Sequence, residues 1–399
     1  MNRILIMTAD AGFGHRSAAK AIAAALAARP DAGQLHVDVA NPVAAEGVPT
    51  FIKERQFNYD NLIQNTPELY KASYEASNLP GATSLVEAVL MVTMYDTIRM
   101  AVERYQPDVI VSVFPYYQAP LAAYFALQRK RIPLMTVVTD LRTVQRVWFH
   151  QAADVTVVPT EIARKKALKD GLTEDQVHLI GIPVHPDIST PKDPIALRQK
   201  LGWATDKTTL LVVGSDRVNH IPEMLRALNH SGLDLQLVLV AGRSEKLLAY
   251  FNENEWHQTV QIYDFVDNMP ELMHASDAIV CKAGGLIVTE SLAAGLPILL
   301  IDAIEGQETG NVQHVVESGA GARINEPIDL LETVFHWAHD NLLAEKAKLA
   351  RQAGRPEAAA EIAELTVNLI DSKREKTRSR FQLDTLSLSN FFERLGLRT

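Results

Sequence analysis

The sequence predicts an α/β fold made of two doubly wound domains, each with a parallel sheet covered by helices. Short apolar runs alternate with helical patterns along the chain, as expected when strands are buried on both faces. The 399 residues exceed what one hydrophobic core usually supports, so two domains are expected. Residues 182–194 contain four prolines and interrupt both patterns, which predicts the linker between the domains.

Ten apolar runs are predicted as strands, five on each side of the linker. The runs before the linker are residues 4–7, 109–113, 134–138, 155–158 and 177–180. The runs after the linker are residues 210–213, 236–240, 260–263, 278–281 and 297–301. Each run has four or five residues, which is an ordinary length for a buried strand.

The predicted linker divides the chain into an N-terminal domain over residues 1–185 and a C-terminal domain over residues 186–370. The first domain carries a long, mostly helical insertion at about residues 51–105. The remaining tail, residues 371–399, mixes basic with apolar side chains. Such a tail either packs back on the body of the protein or lies at an anionic membrane surface.

The composition excludes several classes of protein. A formal net charge of −9 argues against a general nucleic-acid binder. The single cysteine, Cys281, rules out an internal disulfide and a multi-cysteine metal site. The first apolar run is too short for a signal peptide, and no run approaches the roughly 20 residues that cross a bilayer, so we expect a cytoplasmic protein whose membrane contact is limited to the surface.

A histidine stands where the first predicted strand gives way, through a glycine turn, to an alanine-rich helix. Gly12 and Gly14 flank Phe13 and let the backbone turn tightly just before His15. Ligands of parallel α/β sheets bind beyond the carboxyl ends of the strands, so His15 is expected to face a cleft. An ordinary turn with a surface histidine explains this local pattern equally well.

A second cluster of motifs lies in the C-terminal half, over residues 281–297. A small-residue turn with Lys282, Gly284 and Gly285 precedes a helix, whose free backbone amides and dipole attract a diphosphate. Glu290 lies about a turn inside this helix, where its carboxylate is placed to accept hydrogen bonds from both hydroxyls of a ribose. Compensation of the helix dipole is its alternative role.

The loop that follows the next predicted strand carries amide and carboxylate groups close together. Gln307, Glu308 and Asn311 lie within five residues and can together contact several sugar hydroxyls. A solvated helix start would explain Glu308 but gives no reason for the whole set. The sequence holds no Asp-x-Asp element, so helix amides rather than a tightly bound metal ion are expected to hold the diphosphate.

Taken in order, these motifs resemble the diacylglycerol glycosyltransferase group of glycosyltransferase family 28, which includes monogalactosyldiacylglycerol synthases and is related to MurG. The resemblance extends to about residue 325, and its motifs are specific in combination. The stretches that carry it are residues 12–16, 137–141, 148–150, 181–184, 282–285, 295–297 and 306–311, together with Glu290.

The resemblance implies a GT-B fold, in which two Rossmann-like domains face a cleft, and inverting transfer of glucose or galactose from a UDP-sugar to a diacylglycerol-type lipid. It implies that His15 removes the proton of the acceptor hydroxyl and that Asp140 orients or charge-balances His15. Gly12, Phe13, Gly14 and Trp148 would lie on the acceptor side. The donor residues that it implies are Gly214, Ser215, Phe265, Val266, Lys282, Gly284, Gly285, Glu290, Gln307, Glu308 and Asn311.

Two stretches depart from the family pattern. Residues 213–217 replace a glycine-rich loop, which puts side chains beside the expected donor, and Phe114 stands where lipid-transferring relatives usually carry a histidine.

The expected partners are UDP-glucose or UDP-galactose, a diacylglycerol-type lipid and the inner face of the cell membrane, with no cofactor and no nucleic acid. Another lipid or small natural product as acceptor, a UDP-sugar 2-epimerase and a noncatalytic UDP-sugar sensor are the alternatives; His15 and the loop from Gln307 favour transfer.

Overall fold

A computed structural model describes residues 1–10, 13–44, 80–129, 131–216, 218, 220–306 and 308–376. Within these residues the chain forms two parallel six-stranded sheets covered by helices, which confirms the predicted fold class. Several sequence predictions lie outside the described residues. They concern Gly12, Arg217, Gln307, residues 51–79 of the insertion and residues 377–399 of the tail.

The first sheet has the strand order β2-β1-β3-β4-β5-β6. Its strands are β1 (Asn2–Met7), β2 (Leu35–Ala40), β3 (Val109–Ser112), β4 (Leu134–Val137), β5 (Val155–Val158) and β6 (Val177–Leu179). Strand β2 was not predicted. Among the described residues it pairs with β1 alone, at the edge of the sheet. His36 and Val39 are exposed there, so its sequence lacks the continuous apolar run of an interior strand.

Helices α1 (Phe13–Ala27), α2 (Pro80–Tyr105), α3 (Gln118–Gln128) and α4 (Glu161–Lys169) belong to the first half. Helix α1 starts four residues before the predicted start at Ser17. His15 therefore lies in the first turn of α1 rather than on the turn before it. Space around Gly14 is open, with nothing within 4 Å of where a Cβ would stand. Helix α2 accounts for the described part of the predicted helical insertion.

The second sheet has the order β12-β11-β10-β7-β8-β9. Its strands are β7 (Thr208–Val213), β8 (Leu235–Val240), β9 (Thr259–Tyr263), β10 (Ala278–Lys282), β11 (Ile298–Asp302) and β12 (Gly321–Arg323). Its helices are α7 (Ile221–Asn229), α8 (Glu245–Glu253), α9 (Met269–His274), α10 (Gly285–Ala294), α11 (Thr309–Glu317), α12 (Pro327–His339) and α13 (Leu342–Ala353). The short edge strand β12 escaped prediction because its three residues contain only one large side chain, that of Arg323.

The predicted linker contains one short helix, α5 (Pro186–Ser189), and a second, α6 (Pro194–Leu201), begins at its last residue. Each starts with a proline, which costs no hydrogen bond at the first helical position. The last described helix, α14 (Ala358–Lys376), returns to the first sheet, where Ile362 and Ala363 are buried in the same core as β1. Residues 358–370, which the sequence assigned to the second domain by chain position, therefore pack with the first.

The chain crosses between the two halves at two neighbouring points. A Cβ on Gly181, in the first crossing, would stand 2.7 Å from Cβ of Arg355 in the second. A Cβ on Gly354 would stand 2.4 Å from the carbonyl oxygen of Leu292 in α10. Neither glycine leaves room for a side chain, so the two crossings pack closely against each other and against the second half.

Candidate active site

His15 is held in the first turn of α1 by the end of strand β3. Its Nδ1 atom lies 2.8 Å from the carbonyl oxygen of Val113 and 3.1 Å from Oγ1 of Thr139. Burial lowers the pKa of His15 to about 4, and the contact with Val113 only partly offsets this effect. The imidazole is therefore neutral at pH 7, as a general base must be before it takes a proton.

Aromatic rings surround the His15 imidazole. The Phe114 ring meets it edge-on at a centroid distance of 5.2 Å, and the Trp148 ring lies 6.1 Å away. Both rings are buried, Trp148 completely. This apolar wall explains the lowered pKa, because it offers little solvation to an imidazolium. Phe114, noted above as a departure from the family pattern, thus touches His15 directly.

Asp140 contacts Trp148 rather than His15. Its Oδ2 atom accepts a hydrogen bond of 2.8 Å from Nε1 of Trp148. Burial raises the pKa of Asp140 to about 6, and the indole hydrogen bond partly opposes this rise. Among the described contacts the Asp140 carboxylate meets the indole of Trp148, whose ring lies against His15, and the role of Asp140 in orienting or charge-balancing His15 stays a prediction.

The start of helix α10 faces this histidine from the other half of the molecule. Strand β10 ends at Lys282, Gly284 is the N-cap of α10, and no side chain caps the helix. Its first backbone N–H groups therefore lack partners within the helix. A Cβ on Gly285 would stand 3.3 Å from the carbonyl oxygen of Thr139, so the two halves approach closely at this point.

An ion pair and one hydrogen bond join the β11–α11 loop and the start of α11 to the small-residue turn, and a second hydrogen bond lies within the loop. Nζ of Lys282 lies 2.7 Å from Oε1 of Glu308, with 14% and 9% of these side chains exposed. The other carboxylate oxygen, Oε2, accepts from the Ile304 N–H at 2.8 Å. The Asn311 side-chain amide donates to the Ala283 carbonyl at 2.8 Å. Asn311, expected at the donor sugar, thus uses its NH₂ group to hold the turn.

Glu290 is a half-buried carboxyl group on α10. Burial raises its pKa to about 8, so the group is largely protonated at pH 7. Among the described residues no hydrogen-bond donor pairs with its carboxyl oxygens. A polar group in this position is suited to a ligand that donates hydrogen bonds.

The remaining donor-side residues lie along the carboxyl edge of the second sheet. Gly214 is buried at the end of β7, and Ser215 follows it. Phe265 follows β9 and is 47% exposed, with the Arg243 guanidinium 5.0 Å above its ring. Val266, next in the chain, is half-buried. This edge can present a flat, partly apolar surface to a planar ring.

Three residues of the site escaped sequence reasoning, namely Val113, Thr139 and Arg243. Val113 acts through its backbone carbonyl, which no side-chain pattern reports. Thr139 stands beside Asp140 in the motif over residues 137–141, but adjacency does not reveal which side chain turns toward His15. Arg243 lies beside Phe265 only because β8 and β9 are neighbours in the sheet.

Other chemistries find little support among the described residues. No group of three His, Cys, Asp or Glu side chains able to hold a metal ion occurs in that part of the chain. Cys281 is buried in β10, where burial raises the pKa of its thiol to about 12. Of the helices that the structure describes, none combines the length and apolar character of a membrane-crossing segment.

Solved structures with this architecture share the two-domain fold. Acinetobacter baumannii MurG is 17% identical, with a TM-score of 0.59 and coverage of 92% of this chain and 100% of that chain. S. aureus MnaA with UDP is 16% identical, with a TM-score of 0.58 and coverage of 96% and 99%. A UDP-GlcNAc 2-epimerase from Neisseria meningitidis has a TM-score of 0.57 at 15% identity, covering 92% and 100%. These likenesses show the fold alone.

The fold is of the GT-B type, with two Rossmann-like domains, and MurG is among the solved structures that share it. The family described as monogalactosyldiacylglycerol (MGDG) synthase matches residues 15–184, and the glycosyltransferase family 28 C-terminal domain matches residues 208–366. A probable chloroplastic monogalactosyldiacylglycerol synthase of Glycine max is 32% identical over 373 residues, which cover 90% of this chain and 70% of the relative. The synthase of Spinacia oleracea is 31% identical, with 90% and 71% covered. The chain belongs to the monogalactosyldiacylglycerol synthase family and is a glycosyltransferase.

Proposed function

We propose that this protein moves glucose or galactose from a UDP-sugar to a diacylglycerol-type lipid, with inversion at the sugar. The main support for the proposal is that the neutral imidazole of His15 lies opposite the uncapped start of α10. Thr139 contacts both of them. The names of the relatives, monogalactosyldiacylglycerol synthases, support both the donor and the acceptor class.

On the acceptor side, His15 removes the proton of the lipid hydroxyl as that oxygen attacks the anomeric carbon. The proton moves to the imidazole, a new carbon–oxygen bond forms, and the bond from the anomeric carbon to the UDP oxygen breaks. A base on one face and a leaving group on the other invert the configuration of the sugar. Positioned general bases of this kind contribute about 10²–10⁴-fold to a rate.

On the donor side, the first amides of α10 and the Lys282 ammonium stabilise the negative charge that develops on the leaving diphosphate. Glu290 accepts hydrogen bonds from the ribose hydroxyls, and Phe265 and Val266 contact the uracil ring. Glu308 and Asn311 form the wall that faces the donor sugar. No step requires a metal ion.

We further propose that the reaction takes place at a membrane surface, reached from the cytoplasm, because the acceptor is a lipid. Leu85, Val89 and Val92 lie on α2 at a spacing that brings them to one face of the helix. Their exposed fractions are 68%, 42% and 76%. Such a row of exposed apolar side chains suits contact with lipid.

The test is incubation of the full chain with UDP-glucose or UDP-galactose and vesicles with or without diacylglycerol, following UDP and glycolipid. We expect UDP to form only when diacylglycerol is present, in equal amount with the glycolipid. Conversion of one UDP-sugar into another without lipid would overturn the proposal in favour of an epimerase. Binding of UDP-sugar with no turnover on any acceptor would indicate a sensor.

A further inference from the structure

Thr139 contacts both halves of the candidate site. It follows strand β4, and only 9% of the residue is exposed. Its side-chain oxygen lies 3.1 Å from Nδ1 of His15, and its carbonyl oxygen stands 3.3 Å from the position that a Cβ on Gly285 would take. One residue therefore touches the base of the first half and the donor helix of the second.

The two oxygen neighbours of the His15 Nδ1 atom determine where the imidazole carries its proton. A carbonyl oxygen such as that of Val113 can only accept, so the 2.8 Å contact requires a proton on Nδ1. With that proton in place, the Thr139 hydroxyl oxygen accepts from the same N–H as a second partner. The lone pair of the neutral ring is then on Nε2, which becomes the basic atom.

In the Ser-His-Asp triad, a carboxylate binds the histidine nitrogen that is remote from the reaction. The nearby carboxylate in this protein, Asp140, is instead bound to the indole of Trp148. The titratable groups nearest in sequence to His15 are Asp10 and Arg16, which pair with each other. Among the described residues, the hydrogen-bond partners of the His15 Nδ1 atom are two uncharged oxygens, those of Val113 and Thr139.

We propose that Thr139 is a positioning residue for the transfer reaction. Its hydroxyl fixes the His15 ring so that Nε2 faces the acceptor, and its carbonyl sets the distance from this ring to the start of α10. The proposal rests on the proposed function, because it assigns Thr139 a role only through the base. The close approach between the halves occurs at Gly285, where the Cβ of a side chain would make a tight contact of 3.3 Å with the Thr139 carbonyl oxygen.

Two substitutions of Thr139 distinguish the role of its hydroxyl group from the role of its methyl group in packing. Thr139→Val keeps the shape of the side chain and removes the oxygen, whereas Thr139→Ser keeps the oxygen and removes a methyl group. We expect Thr139→Val to lower kcat by about tenfold or more, with the KM for UDP-sugar changed by less than about twofold. Thr139→Ser should stay within about threefold of wild type. If packing is the role of Thr139, the order of the two variants reverses, and the proposal is overturned.

Nitrogen NMR of His15 gives a readout that needs no acceptor and no turnover. The wild type and Thr139→Ser should show the neutral tautomer with the proton on Nδ1, with the same pKa. In Thr139→Val the pKa of His15 should fall further, because one acceptor for the imidazolium N–H is gone. A wild-type ring protonated on Nε2, or an unchanged pKa in Thr139→Val, would contradict the proposal.

These outcomes separate the positioning role from the proposed function. If wild type transfers no hexose to any lipid while the NMR results hold, the proposed function fails and the hydrogen-bond assignment stands. If wild type makes glycolipid but Thr139→Val does so equally fast, the function stands and the role of Thr139 fails. UDP affinity measured by calorimetry, expected to be equal in all three proteins, checks that the donor half is intact.

Discussion

The Asp140 carboxylate accepts its hydrogen bond from the indole of Trp148, at 2.8 Å, and the indole ring in turn lies against His15. An asparagine can accept the same bond through its side-chain oxygen. We therefore expect Asp140→Asn to stay within about threefold of the wild-type kcat, and Asp140→Ala, which loses the acceptor, to fall by about tenfold. Steady-state kinetics on purified variants provides the check.

A direct charge partner of a catalytic histidine behaves differently. In the Ser-His-Asp triad, the equivalent change to asparagine lowers kcat by about 10⁴-fold. A loss of that size in Asp140→Asn would show that Asp140 acts on His15 through its charge, against the arrangement described above.

The pH dependence of activity should report the buried state of His15. The base must be neutral to act, and burial lowers the pKa of His15 from its ordinary value of 6.5 to about 4. The acid limb of kcat/KM should therefore lie near pH 4, well below that of an ordinary histidine. The measurement is kcat/KM from pH 4 to pH 8, with circular dichroism to confirm folding at each pH. A limb centred near 6.5 would contradict the assignment.

Glu290 makes stability fall as the pH rises. Its folded-state pKa of about 8 exceeds the ordinary glutamate value of 4.5, so between these values the folded protein holds a proton that the unfolded chain has lost. The free energy of unfolding of wild type should thus fall relative to Glu290→Gln between pH 5 and pH 8, since glutamine mimics the protonated group. Urea unfolding of both proteins at the two pH values gives the comparison, and parallel pH dependences would refute it.

The Lys282–Glu308 pair combines a structural role with a proposed role at the diphosphate. Lys282→Met leaves a carboxylate that is 9% exposed without its counter-ion, at an expected cost of about 1–3 kcal/mol in unfolding free energy. Adding Glu308→Gln should recover part of that loss. UDP affinity, measured by calorimetry, should fall in both proteins that lack the ammonium but not in Glu308→Gln alone.

Lys200, paired with Glu271 at 2.7 Å and 62% exposed, provides the control. A surface pair contributes little, so Lys200→Met should leave stability and UDP affinity nearly unchanged. Equal UDP affinity in wild type and Lys282→Met would remove Lys282 from the donor site.

Much of the fold followed from the sequence because interior parallel strands are continuous apolar runs. The missed strands, β2 and β12, are edge strands with exposed or small side chains. Helix α14 follows the second half in the chain but packs with the first, a placement that chain order alone does not reveal. Its buried residue Ile362 shares a core with β1.

The parts of the candidate site that could be predicted from the sequence are those whose residues lie close together in the chain. His15 beside its glycines, and Gly284 with Gly285 at a helix start, are readable from the chain alone. The direction of the Asp140 side chain cannot be predicted from the chain alone, because residues that are neighbours in sequence can contact different partners. Thr139 and the Val113 carbonyl needed the tertiary structure, which brings residues 98 and 124 positions away to His15.

The most direct test of the central claim is the anomeric configuration of the glycolipid made from an α-linked UDP-hexose, compared between wild type and His15→Ala. Wild type should give the β-linked product, and His15→Ala should form it about 10²–10⁴-fold more slowly with unchanged UDP affinity. His336→Ala, which removes an imidazole that is 60% exposed on α12, should match wild type. An α-linked product, or wild-type turnover by His15→Ala, would contradict the account of His15 as the base of an inverting transfer.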